Sequence, residues 1–197
     1  MTPEQMPVRW CRMWNEDASL AHRLVADGGR QWSAQTPGLD QVVGPAETEA
    51  FVRKYQRDVG NLFAPRTLVV DGADRVAYTW DVTHRDGTVR SGADVNVLRD
   101  GLVVANWTSV SQAGRSPLPD GPGAGELDRA ALAAAVAGAH PWHGDLVVDV
   151  ARQTVAGTWS DGTRGGIAVL VLVDGRIDRQ WVLPGDRPLP TRREGPR

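Results

Sequence analysis

Asp94 and Asn96 stand two residues apart in a stretch where the side chains of a strand would alternate, so both fall on one face. An aspartate held among apolar residues can serve as a general acid or base. In its neutral form it can also donate a hydrogen bond to a developing oxyanion, with a neighbouring amide to orient it. The chain supplies apolar surroundings in an unusual way: eight tryptophans against two phenylalanines and two tyrosines. Such flat, bulky rings fill a core or line a pocket for a small apolar organic ligand. Trp14, Trp32, Tyr55, Trp80 and Trp107 are the candidate lining, with Asp94 as acid/base and Asn96 as the orienting amide. The competing reading places Asp94 and Asn96 on a solvent-exposed sheet face.

The other reactive side chains carry weaker signals. Asp17 reads as a helix cap, and Asp81 falls on the outer face of its strand. His84 lies in a hairpin and is expected exposed; His22 reads as a surface histidine on the first helix. His140 and His143 have a spacing that could share a metal, yet no third ligand is near in sequence, so no metal is expected. Cys11, the single cysteine, reads as a small buried hydrophobe. The sequence has no G-x-S-x-G, no G-x-G-x-x-G before a helix and no G-x4-G-K-[ST], so no cofactor is expected.

Length and charge bound the partners. A chain of 197 residues can build a large core without a disulfide framework. A net charge of −2 without a long basic run argues against nucleic acid. With no 18-residue apolar stretch, no membrane contact is expected, and the N-terminus, which lacks a charged-then-apolar leader pattern, predicts a cytoplasmic protein.

The elements that must position these residues follow from periodicity. Helical spacing runs over residues 8–25, with a break near Asp17, and Asp27-Gly28-Gly29 reads as its stop. Gln31-Trp32-Ser33 reads as a short extended piece. A second helix is predicted after Gly44, with Pro45 in its first turn and Phe51, Val52, Tyr55 and Val59 as its apolar face. From Thr67 the period becomes two, and the turn signals Asp86-Gly87 and Asp100-Gly101 divide the following residues into a meander. That succession predicts an α+β domain.

The meander then returns. L-V-V-D-G-A-D-R-V-A-Y-T-W from Leu68 reappears as L-V-V-D-V-A-R-Q-T-V-A-G-T-W from Leu146. Gly92 recurs as Gly166, Asp100-Gly101 as Asp174-Gly175, Trp80 as Trp159 and Trp107 as Trp181. Asp94 and Asn96, however, become Ala168 and Leu170. The continuous apolar run Ile167 to Val173 suits a strand covered on both sides, but the second half offers only one short Ala-rich helix, over residues 126–139. Its other face must be covered by the first sheet or by a second subunit in a homodimer.

Four stretches carry a resemblance to a known family. They are W-x3-W-N-E-D (Trp10, Trp14, Asn15, Asp17), the glycine-led helix after Gly44, D-R-V-A-Y-T-W (Asp74 to Trp80) and D-V-N-V-L-R-D-G-L-V (Asp94 to Val103). By these the first 112 or so residues resemble the SnoaL-like polyketide cyclase branch of the nuclear transport factor 2-like superfamily. The resemblance implies a cone-shaped fold, helices packed on a curved antiparallel sheet, with a pocket at its open end. It also implies cyclase or isomerase chemistry of the kind found in secondary metabolism. Asp94 lies near the place of the isomerases' protonated acid, whereas their general base falls near Ser33. Thr108-Ser109-Val110-Ser111 stands where cyclases carry a carboxylate, and Arg75-Val76-Ala77 keeps the arginine and loses the acid of the epoxide hydrolases' pair.

The expected organisation is a cone domain at 1–112, a Pro/Gly linker at 113–125, a truncated repeat at 126–186 and a tail at 187–197. The expected function is a cofactor-free pocket enzyme for an apolar carbonyl or polycyclic substrate; the alternative is a ligand-binding or assembly module.

Overall fold

A computed structural model describes residues 2–36, 38–111 and 121–190. Helix α1 (Met6–Asn15) presents Met6, Trp10, Cys11 and Met13 to the core at helical spacing. Asp17 then breaks the chain as expected: its Oδ1 accepts from the Ser19 amide at 3.2 Å and starts the turn that leads into α2 (Ala21–Leu24). The first helical region ends there, one residue before β1 (Val25–Ser33). Asp27-Gly28-Gly29 is therefore no helix stop but an irregularity inside a strand, where β1 shifts register against its neighbour between Val25 and Arg30. Pairing with another strand overrides the local turn preference of these residues.

Helix α3 (Gly44–Asp58) starts with Pro45 in its first turn and buries Val52, while Val59 just past its end is exposed. The meander follows as β2 (Leu62–Asp71), β3 (Arg75–Thr83), β4 (Val89–Arg99) and β5 (Leu102–Val110). These four strands are antiparallel neighbours, and β1 adds to β5 in parallel, giving the order β1-β5-β4-β3-β2. Helix α4 (Arg129–Val136) is capped by the Asp128 side chain. The second sheet, β6 (Trp142–Asp149), β7 (Thr154–Ser160), β8 (Gly165–Val173) and β9 (Arg176–Pro184), is a plain antiparallel meander.

The repeat read in the sequence is a repeat of register. Trp80 lies opposite Gly92 as Trp159 lies opposite Gly166, and Val95 opposite Trp107 as Val169 opposite Trp181. The ladders slip at the same place, between Val97 and Leu98 in one and between Val171 and Leu172 in the other. Both last hairpins turn through two positive-φ residues, Asp100 (53°) with Gly101 (74°) and Asp174 (47°) with Gly175 (77°), the conformation that matches strand twist.

The layers stack as helices α1–α3, first sheet, second sheet, α4. Val76, Tyr78, Trp80, Leu98 and Val103 pack against the helices. The opposite face of the first sheet (Val69, Ala77, Ala93, Val95) meets Val147, Ala156, Ile167, Val169, Trp181 and Leu183 of the second. Leu170 and Leu172 point the other way, onto Leu132 and Val136 of α4. The face of the second sheet that needed cover thus finds it within the chain.

Both connecting segments bind more chain than their composition suggests. Most of the expected linker, 113–120, lies outside the described residues, but Ala124 bridges Val173 at the edge of β8. The expected tail, 187–197, is corrected in its described part: residues 186–190 form a strap on the first half. Arg187 donates to the Ser33 carbonyl at 2.7 and 2.9 Å and stacks on the Trp32 ring, and Leu189 is buried beside Trp32 and Ala34. The rest of the tail, 191–197, lies outside the described residues.

Candidate functional site

Between the helices and the first sheet lies a cavity of about 160 Å³. Its aromatic wall is built by packing edges onto faces. Trp14 of α1 meets Tyr55 of α3 at 5.3 Å and 90°, and Phe63 of β2 meets Trp80 of β3 at 5.3 Å and 74°. Asn15 holds the two elements in register: its amide oxygen accepts from the Phe63 N–H and its amide nitrogen donates to the Phe63 carbonyl, both at 2.8 Å.

Asp94 forms the polar floor. Its Oδ1 accepts from the Trp80 indole N–H at 2.8 Å, and its Oδ2 accepts from the Tyr78 hydroxyl at 2.8 Å and the Asn106 amide at 3.1 Å. The Thr108 hydroxyl is a further donor. Alternation delivers these groups: Tyr78 and Trp80 on β3, Asp94 on β4, and Asn106 and Thr108 on β5 point to the same side. Gly92 makes room for the indole, since a Cβ there would lie 2.2 Å from the Trp80 ring.

Burial raises the Asp94 carboxyl above the usual carboxylate range, against the opposing pull of its four donors. Burial, reinforced by the Asp94 charge, pushes the Tyr78 hydroxyl well up, so the phenol stays neutral and donates. The Cys11 thiol on the same wall is pushed up to about 12 by burial and then by Asp94, which makes it the inert hydrophobe expected of it.

Trp14, Tyr55, Trp80 and Asp94 thus come together at one cavity. Asn96 stands one layer away: it does not line this cavity, and its carbonyl oxygen accepts from Asn106 at 2.9 Å. It positions Asn106, which in turn holds Asp94. Trp32 and Trp107, expected in the same lining, are corrected to the opposite side of the sheet. Each is flanked by residues of the Asp94 face, Gln31 and Ser33 on β1 and Asn106 and Thr108 on β5, so alternation turns both indoles toward the second sheet.

Several wall residues had no sequence expectation attached. Tyr78, Asn106 and Thr108 were findable, because each pairs across the ladder with Asp94 or Asn96 or neighbours such a pair. His84 is also corrected: it is half-buried on the cavity wall, with its Nε2 enclosed and without a hydrogen-bond partner among the described residues. Ser33 spends its hydroxyl oxygen accepting the Gln35 and Thr36 amides at 3.2 and 2.9 Å. Among the described residues no helix is long and apolar enough to cross a membrane.

No family model and no curated protein matches the chain. Among solved structures it is similar to a SnoaL-like polyketide cyclase from Agrobacterium tumefaciens, at 15% identity and TM-score 0.45 over 57% of this chain and 93% of that one. It is also similar to a protein of unknown function with a cystatin-like fold from Methylobium petroleophilum, at 18% and 0.48 over 60% and 79%. A third is an NTF2-like protein of unknown function from Cytophaga hutchinsonii, at 10% and 0.44 over 56% and 91%.

Proposed function

We propose that the cavity binds a small apolar carbonyl compound and that Asp94 exchanges protons with it, without a cofactor. The observation that carries this reading is the contrast within the repeat. At the same register positions the second meander has Gly157 for Tyr78, Ala168 for Asp94, Leu170 for Asn96 and Val182 for Thr108. The backbone template therefore needs no buried acid. The copy that keeps one also keeps a cavity beside it, and accepts the penalty of a desolvated carboxyl.

In its raised-pKa state Asp94 is neutral more often than an ordinary aspartate and can donate to a carbonyl oxygen, while the Trp80 N–H fixes its other oxygen. The proton leaving the adjacent carbon needs a base, and we assign that role to His84, a residue of the same wall. A space near 160 Å³ suits a single ring, since a cavity of about 150 Å³ accommodates benzene. Cyclic and aryl ketones of one ring fit better than polycyclic ones.

A second reading, binding without turnover, is supported by the saturation of Asp94, whose oxygens already accept from four protein donors. Solvent deuterium uptake at the α-carbon of cyclohexenone or acetophenone, followed by NMR, separates the two. Wild type should catalyse uptake, and Asp94→Asn should lower it at least about 100-fold while tryptophan quenching shows affinity within a few-fold. Binding with no uptake in wild type supports the second reading. Uptake unchanged in Asp94→Asn would refute the assignment of Asp94.

A further inference from the structure

A larger cavity, about 570 Å³, lies on the other side of the first sheet, and the function proposed above makes no use of it. It opens where the two sheets are least matched. β1 has no counterpart in the second sheet, so Arg30 and Trp32 extend the first sheet beyond the repeat. On the facing side β6 departs from its ladder between His143 and Val147, through Gly144 at a φ of 81°. The strap at 187–190 closes one flank.

The lining combines flat apolar surface with unequal charge. Trp32 and Trp107, both misplaced by the sequence reading, supply the indoles. Among the described residues three guanidiniums border the space, those of Arg30, Arg75 and Arg187, against the two carboxylates of Asp40 and Asp145. Arg75 is paired with Asp145 at 2.8 Å, and Arg187 with Asp40 at 3.2 Å. Arg30 has no carboxylate partner among the described residues, and it sits two residues from Trp32 on the same face.

We infer that this cavity is a second ligand site, for a flat aromatic acid whose ring lies against Trp107 and Trp32 and whose carboxylate is held by Arg30. A guanidinium meets a carboxylate with two parallel N–H donors, which a neutral ligand cannot exploit. The volume lies within the ordinary range for small-molecule pockets and admits a fused two-ring system that the Asp94 cavity does not.

The probes are 2-naphthoate and its neutral counterpart 2-naphthamide, titrated into the full chain with indole N–H NMR signals as the readout. Naphthoate should bind at least 10-fold tighter than naphthamide and shift the Trp32 and Trp107 signals. Arg30→Gln, a change at an exposed side chain, should erase that preference, while Tyr55→Leu, which alters only the other cavity, should preserve it. Three outcomes would overturn the inference: no naphthoate binding, a preference that survives Arg30→Gln, or binding lost in Tyr55→Leu. None of these bears on deuterium uptake at Asp94, so this site and the proposed reaction fail separately.

Discussion

The two meanders share register, bulge and hairpin geometry, yet they part at the centre of one face. On the faces that meet, both copies spend the same positions on the core: Val69 and Val147, Ala77 and Ala156, Ala93 and Ile167, Val95 and Val169 all join one cluster. On the outward faces the first copy carries Tyr78, Asp94, Asn96 and Asn106, and the second carries Gly157, Ala168, Leu170 and Gln180. The tryptophans record the difference. Trp80 gives its indole N–H to Asp94, whereas the N–H of Trp159, opposite the same glycine position, is buried with no partner among the described residues. The shared features specify a backbone; the unshared ones mark where a backbone has been put to use.

The comparison breaks most severely if the meeting faces are separated. A chain ending at residue 111 bares Val69, Ala77, Ala93, Val95 and Trp107. Burying one large aliphatic side chain contributes about 1.5–3 kcal/mol, so the loss approaches the whole stability of a domain. Size-exclusion chromatography should show aggregation or a new dimer. A monomer with an unchanged melting temperature would mean that the second sheet is an appendage.

A graft tests whether the acid alone makes a site. Ala168→Asp places a carboxyl opposite Gly157 and near Trp159, with no phenol equivalent to Tyr78 and with only the exposed amide of Gln180 in the place of Asn106. Denaturant titration should show a loss of about 3–5 kcal/mol, as for a buried charge lacking its partners. A loss below about 1 kcal/mol would show that the remaining cluster around Asp94 is dispensable.

The smallest effect is the sharpest contrast. Trp80→Phe leaves the Asp94 Oδ1 without its indole donor and should cost about 1–3 kcal/mol more than Trp159→Phe, which removes an N–H that has no acceptor. Equal losses in the two melts would show that both indoles act through packing alone.

The sequence disclosed whatever depends on local pattern. Turn pairs such as Asp100-Gly101 need positive φ, the helix after Gly44 has its Pro45, and the exchange of Asp94 for Ala168 stands out once the copies are aligned. What stayed hidden depends on distant partners. Trp32 and Trp107 announce burial by type, but in a sheet covered on both sides type does not say which side. The glycines at 28 and 29 read as a stop because the strand that pairs on either side of them, through Val103 and Ala105, is some 75 residues away. Arg187 falls within the expected tail, and only its partner, the Ser33 carbonyl 154 residues away, ties it to the first half.

That last contact constrains the order in which the protein can be completed. Ser33 and Arg187 are 154 residues apart, so at about 5–20 residues per second the ribosome delivers the second some 8–30 s after the first. Once β5 has been made, β1 can pair with it, but the indole of Trp32 still has neither its stacking cation nor Leu189 beside it. The nascent first half therefore waits with an open flank until the strap that follows the second sheet has been made.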